Sequence, residues 1–392
     1  MARRIHPVVR SVARFILRAV GWLAAAGALL LLALWACGQV VSDRVHLLQF
    51  VAWAPAWMVL SPAAVCGVLA VLMRARAHDE GPRVWGRRGS RMVLGCVLGA
   101  QVMTVVFGMR VFNAFKPAGS GPALTLAHWN LDAYSARQWA GSYAKQLNGR
   151  VPDVFLLSSN QPWSVVEASL QALNPQYRVA HLGNFVVAST LPIVGARRFS
   201  LALAQQPVAL DPRHEREKEM RAALEKFWNE HCQRFGISLR SFGGLEDGDL
   251  VAVRLDATAT LGREITIYYL DLPSDPFESK WSIAEQTRTQ LERLLGQKDE
   301  QTGKALLSPA DIIAGDFNTP RGSASLGLIA PGMTHAFDQG GWGAEVSFPR
   351  TLSLLHIDHV FVAPWLRARR YETVQPEAGD HWMQWAEIVA RE

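Results

Sequence analysis

In Ile312-Ile313-Ala314-Gly315-Asp316-Phe317-Asn318-Thr319-Pro320 an apolar run gives way abruptly to Asp, Asn and Thr. Asp311 to Ala314 has the length and composition of a buried strand, and the polar residues stand where that strand ends. Strand ends are where α/β folds place their sites, so Asp316 and Asn318 become candidates. Asp and Asn also favour turns through bonds to their own backbone, so Gly315–Pro320 taken alone is better explained as a turn.

Three more polar groups stand in similar places. They are Trp129-Asn130 after the strand-like Leu124–His128, Asp358-His359 within Ile357–Val362, and Gly379-Asp380-His381-Trp382 near the end of the chain. The intervening sequence alternates between periods. Val154–Leu157, Phe185–Thr190, Leu250–Leu255 and Ile265–Leu270 read as strands, and Ser135–Asn148, Ser164–Leu173 and Trp281–Leu295 as helices. Ser164 and Glu167 have the spacing of a capping box. Pro212–Phe235 alternates in charge sign and reads as a solvated amphipathic helix. For His359 a satisfied structural role at a strand end is expected.

Together and in this order, the four polar groups resemble the endonuclease/exonuclease/phosphatase superfamily, whose members cut phosphate esters with a divalent metal. The resemblance runs from Leu124 to the C-terminus, and Ser189-Thr190-Leu191-Pro192-Ile193 looks like the family's S-x-x-P-I strand. It implies a four-layer α/β sandwich, two packed mixed β-sheets flanked by helices, preceded here by three transmembrane α-helices. It implies a bacterial-type, membrane-anchored member. By motif match, Asp316 and Asn318 would orient the attacking water and the phosphate, and Asn130 would sit at both metal and phosphate. Asp358 would lie near the metal, and His381 would be the catalytic histidine, oriented by Asp380. The implied cofactor is Mg²⁺ or Mn²⁺. In-line attack on phosphorus needs a polarised water, positive charge near the non-bridging oxygens and a donor for the leaving group, which these side chains could supply.

Two family positions are filled differently, which implies a degenerate site. Ser159 stands where the family has its principal metal-binding Glu, after Ser158 in place of Gln, with Asn160 and Gln161 following. Asp271 stands where a phosphate-contacting His is expected. A hydroxyl is a far weaker ligand than a carboxylate for a hard cation, and a carboxylate repels phosphate unless a cation lies between them. Either Asp271 or Asp132 restores the missing negative charge, or the domain is catalytically silent and serves as a binding or structural ectodomain.

The first third of the chain has another character. Three apolar segments, 20–41, 47–73 and 92–112, have the length of spanning helices, with Pro55 and Pro62 inside the second. Residues 1–113 therefore read as a membrane domain, 114–122 as a linker, and 123–392 as the α/β domain. Residues 1–121 carry 14 Lys+Arg against 3 Asp+Glu, which leaves 26 against 31 for the remainder. The basic excess thus borders the apolar segments. Arg clusters before the first span and between the second and third mark the cytoplasmic side, which puts the C-terminal domain outside the cytoplasm of a multi-pass protein of the cell (inner) membrane. An acidic domain with no basic stripe argues against nucleic acid. The expected partners are the lipid bilayer and a lipid-phosphate or other phosphoester substrate. Cys232 is alone in the α/β part, which excludes a disulfide framework or a cysteine-based zinc site there.

Overall fold

A computed structural model of the chain describes residues 7–76, 84–116, 119, 121–131, 143–159, 161–203, 219, 223, 226, 230, 247–275, 278–299, 303–344, 346–351 and 354–391. The chain divides into two compact units. One comprises Met1–Ser42 with Leu47–Met109, the other Asp43–His46 with Arg110–Glu392.

The first unit is helical: α1 is Pro7–Val41, α2 His46–Trp53, α3 Ala56–Arg76 and α4 Val84–Met103, the last continuing as a π-helical stretch over Thr104–Gly108. Three segments are long and apolar enough to cross a membrane: Ser11–Arg44, Ala56–Arg76 and Arg88–Gly108. The second begins later than expected. Pro55 has no N–H to give and disfavours helix at the residue before it, so α2 ends at Trp53 and is too short to span. Pro62 is tolerated within the first turns of α3. Phe15, Trp22, Leu23 and Leu30 point outward, as side chains facing lipid do. Arg74 is buried, with Nη1 donating to Ser90 Oγ at 2.6 Å and the guanidinium 3.9 Å from the Trp22 ring.

The second unit is built on twelve strands among the described residues. These are β1 Leu124–Leu131, β2 Val154–Ser159, β3 Arg178–Leu182, β4 Phe185–Ser189, β5 Ile193–Ser200 and β6 Asp249–Ala257. They continue with β7 Arg263–Asp271, β8 Ile312–Asp316, β9 Thr334–His335, β10 Asp358–Val362, β11 Leu366–Val374 and β12 Met383–Ala390. They form two six-stranded mixed sheets, β11-β12-β1-β2-β4-β3 and β5-β6-β7-β8-β10-β9. A central apolar layer takes Leu124, Leu126, Val154 and Leu156 from the first sheet and Val253, Ile267, Ala314 and Val360 from the second. On the outer face of the first sheet, Phe155 and Leu157 pack against Val166 and Leu170 of the helix Trp163–Leu173. On that of the second, Tyr268 and Ile313 pack against Ile283 and Leu291 of the helix Lys280–Gly296. The result is the expected four-layer sandwich of two packed mixed sheets flanked by helices.

Local expectations fared unevenly. The helix Trp163–Leu173 starts without a side-chain cap, because Pro162 and not Ser164 occupies the cap position. By contrast Ser279 caps Lys280–Gly296 by accepting from the Ser282 N–H. Of the helix expected over Ser135–Asn148, Tyr143–Gln146 is helical and residues 132–142 lie outside the described residues. The segment Pro212–Phe235 also lies outside them, apart from Glu219, Ala223, Lys226 and Glu230, which are helical.

Candidate active site

Alternation along each strand explains how the site arises. Leu124 and Leu126 face the central layer, so His128 and Asn130 continue that face. The same period carries Ile312 and Ala314 on to Asp316, Ile267 and Tyr269 on to Asp271, and Val362 and Val360 on to Asp358. On β12 it carries Ile388 and Ala386 on to Gln384. Every one of these strands therefore turns polar at its end of the layer between the sheets. Register aligns the second sheet's acids: Asp271 is the parallel partner of Asp316, which is the antiparallel partner of Asp358. The parallel pairs β1·β2 and β7·β8 both end here, where α/β proteins gather their functional groups.

Gly315 makes this packing possible. Its φ of 144° is one that L side chains avoid, and a Cβ there would run into the Leu270 carbonyl. The turn then closes on itself, because the Asn318 N–H donates to Asp316 Oδ1 at 2.9 Å, with Asn318 left-handed at φ 48°. Asn318 Nδ2 donates to the Leu272 carbonyl at 2.8 Å, which ties the turn to the end of β7. The Asx turn and the site are thus the same structure.

Asp316, Asp358 and His381 are buried, and one potential ligand atom from each lies within 4.8 Å of the others. Asn130 Nδ2 donates to Asp316 Oδ2 at 2.8 Å. His381 Nδ1 lies 2.8 Å from Asp358 Oδ2, and its Nε2 lies 3.6 Å from Asp316 Oδ2. This corrects the expected pairing of His381 with Asp380. Asp358 orients the imidazole, while Asp380, with its side chain 45% exposed, lies 3.8 Å from Nε2 at the rim. The reason is register: β10 starts with Asp358 facing the layer into which His381 enters, next to Phe348. Asp271 sits one strand from Asp316 but outside the set of three. Ser159 is buried, and its Oγ accepts from the Gln161 N–H at 3.2 Å. Asp132 and Asn160 lie outside the described residues.

The charges are set by their neighbours. Burial raises the Asp316 carboxyl, the nearby Asp358 raises it further, and it reaches about 7. Burial opposes charge on Asp358 too, but His381 outweighs it and holds that carboxyl below the usual range. Burial likewise pushes His381 down, but Asp358 and Asp316 prevail and raise it to about 10. His381 is therefore an imidazolium at neutral pH, in an ion pair with Asp358.

Three side chains at the site had no part in the motif reading. His128 Nδ1 lies 2.8 Å from Gln384 Oε1 and 3.8 Å from Asp358 Oδ1. Ser347 Oγ accepts from the N–H groups of both Ile357 and Asp358. For His128 the signal was present, since it shares a strand face with Asn130. Gln384 and Ser347 gave none, because their nearness depends on tertiary pairing. A cavity of about 930 Å³ lined by Asn113, Lys116, Trp342, Arg369 and Trp382 is separate, and the Asp316–Asp358–His381 set does not line it.

No family model matches the sequence, and a search of curated proteins gives no match. Among solved structures the chain is similar to a humanized D. rerio TDP2, at 15% identity over 68% of this chain and 98% of that one, with a TM-score of 0.43. It is also similar to an endonuclease/exonuclease/phosphatase from Beutenbergia cavernae, at 17% identity over 69% and 72%, TM-score 0.39. An AP endonuclease from Archaeoglobus fulgidus follows at 13% over 67% and 98%, TM-score 0.39.

Proposed function

We propose that this chain is a membrane-anchored, divalent-metal-dependent phosphoester hydrolase of the endonuclease/exonuclease/phosphatase type. The reading is carried by one observation: Asn130, Asp316, Asp358 and His381, scattered along the sequence, meet at the polar end of the layer between the sheets. Its substrate would be a phosphate or pyrophosphate ester at the outer membrane surface, a lipid phosphate being reached most readily by a domain tethered to a span by a short linker.

The donor set suits a hard cation. Asp358 Oδ1 is buried without a hydrogen-bond partner among the described residues, and a carboxylate oxygen left in that state calls for positive charge. Asn130 and Asp358 would hold Mg²⁺ or Mn²⁺, and Asp271 would add its charge from the next strand. When bound, the ion would neutralise charge on the non-bridging phosphate oxygens. The protein's own groups do the rest. Asp316, raised towards neutrality, takes a proton from the attacking water as its oxygen bonds to phosphorus. His381 already holds a proton at Nε2 and gives it to the leaving oxygen as the old bond breaks. Asp358 keeps the imidazole oriented throughout.

The intact chain in detergent, given phosphomonoesters and phosphodiesters with Mn²⁺ or Mg²⁺, tests this. Turnover should vanish with chelator and fall roughly 10²–10⁴-fold in His381→Ala. Activity indifferent to either treatment would sink the assignment. The alternative, a silent ectodomain, draws on Ser159 and Asp271 at the two departing positions. It is favoured if the wild type is inert while Ser159→Glu with Asp271→His cleaves.

The proposed location is outside the cytoplasm. It rests on the arginine asymmetry of the short flanks around the apolar segments.

A further inference from the structure

Behind the candidate site lie three buried imidazoles, His335, His356 and His359, with one potential ligand atom from each within 4.8 Å of the others. Such a trio would suit a transition metal, but the hydrogen bonds of His335 and His359 already engage their lone pairs. The Phe337 N–H can only donate, and it points at His335 Nδ1 from 3.1 Å. The proton of a neutral His335 therefore sits on Nε2, 2.8 Å from His359 Nδ1. At the other end the Thr319 carbonyl can only accept, and it lies 2.7 Å from His359 Nε2. Both ends demand the same arrangement. The bonds run in one direction, from Phe337 N–H through His335 and His359 to the Thr319 oxygen, so all four ring nitrogens of these two are engaged; of the trio only His356 Nδ1 has no hydrogen-bond partner among the described residues.

Thr319 follows Asn318, whose backbone fixes Asp316, and His359 follows Asp358 on β10 with its side chain on the opposite face. We propose that His359, held in one tautomer by His335, is a positioning residue that pins the Gly315–Pro320 turn from behind and so sets the height of Asp316 and Asn318 against Asp358 and His381. The role rests on the metal-dependent reading of the site. It differs from mere core filling because it requires a specific proton arrangement and a donor to Thr319.

Two measurements on the full chain in detergent test it. With ¹⁵N-labelled histidine, both His335 and His359 should appear as neutral Nε2–H tautomers, identified by their loss in His335→Phe and His359→Leu. An Nδ1–H tautomer at His359, or a tightly held metal that these variants release, would overturn the relay. Mn²⁺ affinity followed by electron paramagnetic resonance should fall about tenfold in His359→Leu, as changes one step removed from a metal do. His359→Gln, which can still donate to Thr319, should recover most of that loss even where melting temperature stays low. Equal Mn²⁺ binding in wild type and His359→Leu, or no recovery in His359→Gln, would refute the positioning role. A wild type that binds no Mn²⁺ defeats the metal reading and the positioning role with it, while the tautomers still decide whether the relay exists.

Discussion

At the scale of single residues, the site is governed by burial and by two residues that leave no alternative. Gly315 is one. Gly315→Ala would place a methyl against the Leu270 carbonyl at a φ of 144°, and the loss should exceed about 3 kcal/mol in denaturant unfolding. A variant as stable as wild type would show that the β7–β8 ladder can shift. Asp316 is the other. Its folded carboxyl keeps a proton to about 7, whereas the unfolded one releases it near pH 4. The favourable contribution of that bound proton is thus present at low pH and fades as pH climbs from about 4 through 7. Compared with wild type in chelated buffer, Asp316→Asn should gain on the order of 3 kcal/mol in relative stability between pH 4 and 8. Added Mg²⁺ should narrow that gap by favouring the wild-type carboxylate. A difference that does not move with pH would contradict the burial argument.

At the scale of elements, the devices that deliver side chains to the site are small. Ser347 holds the start of β10 by accepting two backbone N–H groups, and it is fully buried. Ser347→Ala should cost about 1–3 kcal/mol and lower turnover with it, since Asp358 loses its anchor. Full activity in a destabilised variant would confine Ser347 to folding. The helix Lys280–Gly296 lies on the far face of the sheet, so Ser279→Ala should cost about 1 kcal/mol and leave metal affinity unchanged. Strands that bury one face among apolar residues were legible: β1, β2, β4, β6, β7, β8 and β10 all coincide with expected segments. β5 and β11 went unread because Arg197, Arg198, Arg367, Arg369 and Arg370 interrupt their apolar rhythm. In the structure these strands lie at sheet edges, where charge is tolerated and discourages further pairing.

At the scale of the whole molecule, the proposal requires the α/β domain to lie on the side opposite the arginine-rich flanks. Alkaline phosphatase fused after Glu392 should be active and green fluorescent protein at the same place dark, with the pattern reversed for fusions within 77–83. Fluorescence at the C-terminus would invert the topology and remove any outer-surface substrate. The three apolar segments were legible from hydropathy alone, though their bounds differ from 20–41, 47–73 and 92–112, and the later start of the second at Ala56 follows from Pro55.

Hydropathy, period and turn chemistry are properties of a segment and its immediate neighbours, so the sequence by itself determined the three long apolar segments, most of the strands and the kind of side chain each strand end presents. It could not determine which of those side chains meet. Asn130 reaches Asp316 across 186 residues and His128 reaches Gln384 across 256, contacts set by strand order and register. Tertiary structure alone decided that Asp358, and not the adjacent Asp380, carries His381. A neighbour in sequence shares a peptide bond, but a hydrogen bond goes to whichever group the sheets bring within reach.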